Sequence, residues 1–173
     1  MNIAMTALQD ELAGQVEKPS PTQQDAIRAH PIKGAMMLAN LGVGDDDWLD
    51  IVSSHHDDTV DKDDFNTVAA SVRMARILKV VDRYAAMISP RKSRAGRSAI
   101  ESARSVMTRA SSSVDLIGQA LVRAVGLCPP GTYVRLDNDE LGVVVRRSNK
   151  SNQPYVVVVG KPGGELETSP RLH

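Results

Sequence analysis

Four histidines occur in 173 residues, and two of them are adjacent, in His55-His56-Asp57. Imidazole nitrogens bind transition metals and exchange protons near neutral pH, so this triplet is a candidate for metal or acid–base chemistry. On a helix, neighbouring side chains diverge by roughly 100°. The pair is therefore expected to offer one imidazole to each of two adjacent ions, or one to a metal and one to a substrate. The structural alternative is a helix C-terminus, where histidine complements the negative end of the macrodipole. His30, just before Pro31, and Asp82, on the apolar flank of a long helical pattern, are the other candidates. A buried carboxylate without a partner is costly, so Asp82 needs a metal, a histidine or an arginine. The aspartates at 57, 58, 61, 63 and 64 lack the glycine and the regular spacing of a calcium loop.

The elements that must position these groups are mostly helical. Residues 1–12 read as a helix that opens without a cap, as though cut from something longer. Lys18-Pro19-Ser20-Pro21 ends it. Ser20 is a good N-cap, Pro21 suits the first helical position, and Gln23 completes a capping box. That helix is expected to run over 21–29 and to break at His30, because Pro31 disfavours helical geometry before it. A second helix covers 32–40, and Gly42 and Gly44 turn the chain. Asp45 caps the helix that ends at the paired histidines. Asn66 is expected to cap a long helix over 67–89. Its apolar face carries Met74, Ile77, Val81, Tyr84 and Ile88, flanked by Ala75, Leu78, Asp82 and Ala85, and Arg73, Arg76 and Arg83 mark its solvent face. Pro90 stops it. Two more helices follow, over 100–110 and 114–125, with Gly126 as a C-cap.

The pattern then becomes extended. Segments 133–136, 142–146 and 155–159 are β-branched, as an antiparallel meander requires. The chain reads as mainly α, with a helical domain at 1–127, a β appendage at 128–160 and a loose tail at 161–173.

Composition narrows the function classes. Hydrophobic residues make up 42% of the chain and aromatics only 3%, so the core is aliphatic. A formal net charge of zero argues against a broad nucleic-acid or anionic-membrane surface. The single cysteine, Cys128, excludes an internal disulfide and fits a reducing cytoplasm. No apolar run approaches the roughly 20 residues of a membrane-spanning helix.

Taken in order, these motifs resemble HD-GYP domains. His30-Pro31-Ile32-Lys33-Gly34-Ala35-Met36-Met37-Leu38 resembles their HP-x-x-G-x-x-x-L segment, and His55-His56-Asp57 their HHE. Val81-Asp82-Arg83-Tyr84-Ala85-Ala86-Met87, then Pro90-Arg91 and Arg94, resembles D-x-x-D-A-L followed by R-P-Y-K or R-P-Y-R. Pro130-Gly131-Thr132-Tyr133-Val134-Arg135-Leu136 and Gly142-Val143-Val144-Val145 resemble the β appendage that often closes such proteins. The resemblance implies an HD-domain-like helical bundle. In active members, two or three iron, manganese or similar ions activate a water that opens cyclic di-GMP. By position, His30, His55, His56 and Asp82 would be metal ligands, and Arg91 and Arg94 would contact phosphate. The bland alternative for those arginines is a solvated basic loop.

The departures are as informative. The family's H-D-x-G-K would align with Met1-Asn2-Ile3-Ala4-Met5, which removes the bridging carboxylate. Its D-G-x-G-Y-P loop would align with Asp61-Lys62-Asp63-Asp64-Phe65, without the glycines, tyrosine or proline. The glutamate of HHE becomes Asp57, and the second aspartate of D-x-x-D becomes Ala85. At most four expected ligands remain, enough for one divalent iron, manganese or zinc ion, or for none. The implied function is a catalytically impaired regulatory or interaction module in cyclic-dinucleotide signalling, with a protein or a cyclic dinucleotide as partner. Two alternatives stay open: a metal-dependent phosphodiesterase, and a sensor that binds a nucleotide without cleaving it.

Overall fold

A computed structural model describes residues 1–61, 63–107, 112–149, 153–161 and 166–172. Among the described residues, six α-helices precede a four-stranded antiparallel sheet. The helices are α1 (Thr6–Gly14), α2 (Pro21–Asn40), α3 (Asp46–Ser54), α4 (Ala70–Ile88), α5 (Ala99–Met107) and α6 (Ser112–Val125). Short 3-10 turns lie at Ile3–Met5 and Asp58–Asp61. Among the described residues, no helix is long and apolar enough to cross a membrane.

The starts of α2 and α3 follow from their caps. Ser20 Oγ accepts from the Gln23 amide, and Gln23 Oε1 accepts from the Ser20 amide, which closes the capping box. Asp45 Oδ1 accepts from the Trp48 amide at 2.9 Å. The start of α4 differs from expectation. Asn66 does not cap it; Asp64 instead holds residues 64–67 in a turn, accepting from the Asn66 amide, and the helix begins at Ala70.

The expected break at His30 is absent. Helix α2 runs through Pro31 to Asn40, so His30 sits inside a helix and is only 2% exposed. Gly34, one turn further on, explains the tight approach on this face. A Cβ there would lie 3.2 Å from the Met1 carbonyl oxygen and 3.5 Å from a Val52 methyl.

Helix α4 is the shared wall of the bundle. It packs against α3 on one side and against α5 and α6 on the other. Val80, Tyr84 and Met87 of α4 form the main core with Ala103, Val106 and Ile117. The buried face is rotated from the expected one. Met74, Ile77 and Val81 are exposed, whereas Arg76, assigned above to solvent, is 1% exposed. Its Nη1 donates to the Asp63 carbonyl at 2.8 Å. A helix contacted on two sides cannot keep a whole solvent face, and arginine's long stem lets its head reach the neighbouring loop.

Strands β1 (Tyr133–Arg135), β2 (Leu141–Arg146), β3 (Tyr155–Gly160) and β4 (Leu166–Leu172) pair in chain order. The expected loose tail over 161–173 therefore needs correction: residues 166–172 form the fourth strand. Glycine and proline near its start masked a short β pattern, and the free edge of β3 supplies the pairing partner that local composition cannot reveal. Gly142 lies at a bulge, where a Cβ would fall 2.3 Å from Val156 Cγ1, so only glycine fits this crossing. Arg147 joins the sheet to the helices. Its guanidinium donates to the Arg123 and Ala124 carbonyls at the C-terminal end of α6, where no helical amide remains to bond them.

Candidate metal centre

Helices α2 and α3 deliver the histidine cluster. His30 comes from the middle of α2, His55 is the C-cap of α3, and His56 follows in the turn beyond. One nitrogen from each lies within 4.8 Å of the others. Ring centroids are 5.2 Å apart for His30 and His55, 5.1 Å for His30 and His56, and 4.3 Å for His55 and His56. This revises the expected divergence of the pair. Because α3 ends at Ser54, the two imidazoles do not obey the helical rotation and can approach one ion together.

Helix α4 supplies the rest. His56 Nε2 lies 3.7 Å from Asp82 Oδ2, so Asp82 finds the histidine partner that its flank position demanded. His56 is half-exposed and forms the open side of the cluster, while His55 is fully buried. Asp57 does not join the group. Its carboxylate accepts from the Thr59 amide at 2.8 Å, and that bond holds its pKa below the ordinary aspartate range.

Hydrogen bonds settle the tautomers of the two buried rings. His30 Nδ1 bonds the Ile27 carbonyl at 2.6 Å, and His55 Nδ1 bonds the Val52 carbonyl at 2.7 Å. A carbonyl oxygen only accepts, so each Nδ1 carries the proton and each neutral ring keeps a bare Nε2. Those two Nε2 atoms face each other at 3.3 Å. Two buried lone pairs at that separation need a cation or a proton between them. A proton is disfavoured, because burial, with smaller contributions from His56 and His30, pushes the His55 pKa below its ordinary value. Burial also lowers that of His56, partly offset by Asp82. A metal fits the spacing. Nitrogen ligands about 2.0–2.1 Å from a tetrahedral zinc ion are about 3.3 Å from one another. The donor set, three imidazoles with a carboxylate beside them, suits zinc, iron or manganese.

The two arginines expected to contact phosphate follow the end of α4. Arg91 and Arg94 pair through their backbones in a tight turn after α4, and Arg94 Nη2 donates to the Ala86 carbonyl at 2.6 Å. Arg94 thus caps the helix that carries Asp82, one turn beyond it. No contact among the described residues joins either arginine to the histidines.

Lys79 was missed by sequence reading. Its Nζ donates to the Asp57 carbonyl at 3.1 Å and meets Asp58 Oδ1 at 2.7 Å, pinning the turn after the histidines onto α4. The available signal was its i,i+3 spacing from Asp82, which puts both on one helix face.

Among known proteins, the chain is similar to a cyclic di-GMP phosphodiesterase of Pseudomonas aeruginosa, 29% identical over 153 residues. The match covers 87% of this chain and 37% of the relative, so the chain spans little more than a third of that enzyme's length. No protein-family profile and no solved structure matches it.

Proposed function

We propose that this chain is a degenerate HD-GYP-like module of cyclic di-GMP signalling that holds one divalent transition metal and has lost phosphodiesterase turnover. One observation carries the metal reading: the bare Nε2 atoms of His30 and His55 face each other beside His56, in a buried site. The similarity to a cyclic di-GMP phosphodiesterase supports the signalling context. His30, His55 and His56 would hold the ion, with Asp82 bonding His56 or taking a further position. When bound, such an ion supplies a Lewis-acid centre for a phosphate oxygen or a water.

Charge supports a single ion. The three imidazoles are neutral ligands, and Asp82 is the carboxylate in contact with them. One divalent ion with one carboxylate keeps a net positive charge, which suits a phosphate. Two divalent ions would place four charges against the one carboxylate in contact with the cluster, at a cost in self-repulsion. Lys79, close to His56, is paired with Asp58, and the fields of the two act on that histidine in opposite directions. In-line hydrolysis by a two-metal clamp needs the second ion.

The test loads purified protein with iron(II) or manganese(II), measures metal by elemental analysis, and incubates it with cyclic di-GMP. The expected result is about one ion per chain and no linear product above the protein-free control. Turnover abolished by His55→Ala would establish instead the second reading, a working phosphodiesterase, which the His56–Asp82 contact favours. For the sensor reading, calorimetry would compare cyclic di-GMP binding by wild type and Arg91→Ala/Arg94→Ala. Equal heats in both proteins would remove these arginines from ligand recognition.

A further inference from the structure

The two buried histidines share one backbone pattern that arises from two different sources. Each Nδ1 bonds the carbonyl three residues earlier, Ile27 for His30 and Val52 for His55. For His55, the carbonyl is free because α3 ends at Ser54 and Val52 is among its last four residues. His30 has no such helix end beside it. In an uninterrupted helix, the amide of residue 31 would bond the Ile27 carbonyl. Residue 31 is Pro31, which has no N–H, and α2 continues around it. The carbonyl left over is the one that His30 takes.

We propose that Pro31 is a positioning residue: by withholding an amide from the Ile27 carbonyl, it sets His30 as the Nδ1–H tautomer and turns a bare Nε2 toward His55. This rests on the metal reading given above and deepens it, by naming what decides which atom of His30 the site receives. The geometry is that of a metal-binding histidine whose other ring nitrogen is anchored by a carbonyl. Here a missing backbone donor creates the anchor. Replacing Pro31 by alanine restores an amide that competes for the Ile27 oxygen. The imidazole then loses its hold, and the Nε2–H tautomer, which cannot bind a metal through Nε2, becomes populated.

The experiment reads tautomers directly, without metal. Long-range proton–nitrogen correlation spectra of the imidazoles would be recorded in weakly alkaline buffer for metal-free wild type and Pro31→Ala. In wild type, His30 and His55 are both expected as Nδ1–H. In Pro31→Ala, His30 shifts toward Nε2–H while His55 stays unchanged. Alanine favours helix, so the variant keeps its fold, which the urea midpoint checks. Manganese affinity of the variant should fall by about 10- to 100-fold, the usual effect of losing such an anchor. A wild-type His30 protonated on Nε2 overturns the proposal, as does a variant whose His30 tautomer equals that of wild type. If the tautomers behave as stated but neither protein binds metal, the metal reading fails and the role of Pro31 stands.

Discussion

Metal binding has a thermal signature whose size can be worked out beforehand. A ligand that binds only the folded state adds about 2.7 kcal/mol of stability at a hundredfold excess over Kd. For a chain of this length, each kcal/mol raises Tm by about 2–4 °C, so saturating manganese or zinc should raise it by roughly 5–11 °C. His56→Ala is the informative perturbation. The ring is 44% exposed and its polar contact is the 3.7 Å approach to Asp82, so its truncation changes basal stability little. It does remove one of three nitrogen donors. A hundredfold loss of affinity would leave only about 0.4 kcal/mol at the same metal concentration, a rise of about 1–2 °C. Scanning calorimetry with and without metal measures both. Asp57→Ala serves as the control, because its carboxylate is bonded to the Thr59 amide outside the cluster, and it should keep the full rise. The reasoning is refuted if wild type shows no rise at any metal concentration, or if His56→Ala matches wild type.

Metal-free protein should lose stability as pH falls through the ordinary histidine pKa of about 6.5. His55 and His56 have lowered pKa values when folded, so the unfolded chain binds more protons around this pH; a urea midpoint that is flat or rises on acidification contradicts this. Gly142→Val should destabilise by about 1–3 kcal/mol, since its Cβ would overlap Val156, and an unchanged midpoint would count against the crossing at the bulge. Tyr84→Phe should change stability by less than about 1 kcal/mol, because the buried hydroxyl has no bonding partner among the described residues. A loss above about 2 kcal/mol would reveal a hydrogen bond there.

Much of the fold was legible because it depends on local chemistry. Ser20, Gln23 and Asp45 bond neighbours three residues away, so their roles can be read without knowing the tertiary structure. Gly126 ends α6 with a positive φ, as a glycine C-cap does. Other expectations failed because a partner distant in sequence decides the outcome. Arg76 looked like a surface residue until the loop carbonyl of Asp63 was placed over it. The stripe of Met74, Ile77 and Val81 looked like core, yet Val80 and Met87 face the packing of α5 and α6. Periodicity shows that a helix is amphipathic; it does not show how a helix gripped from two sides divides its faces.

The same distinction runs through the site, and Pro31 shows it most sharply. Both the expected break and the observed geometry begin from one fact, the missing amide of proline. Considered along the chain, that deficit predicts the end of a helix. Considered across it, the deficit leaves the Ile27 carbonyl to His30, and the helix survives because the orphaned oxygen finds a donor one residue before the proline. The histidine that seemed stranded at a break is instead held in the interior, with its free nitrogen aimed at His55. Burying two imidazoles with their lone pairs face to face works against stability unless a cation joins them. The metal reading proposed above would supply that cation.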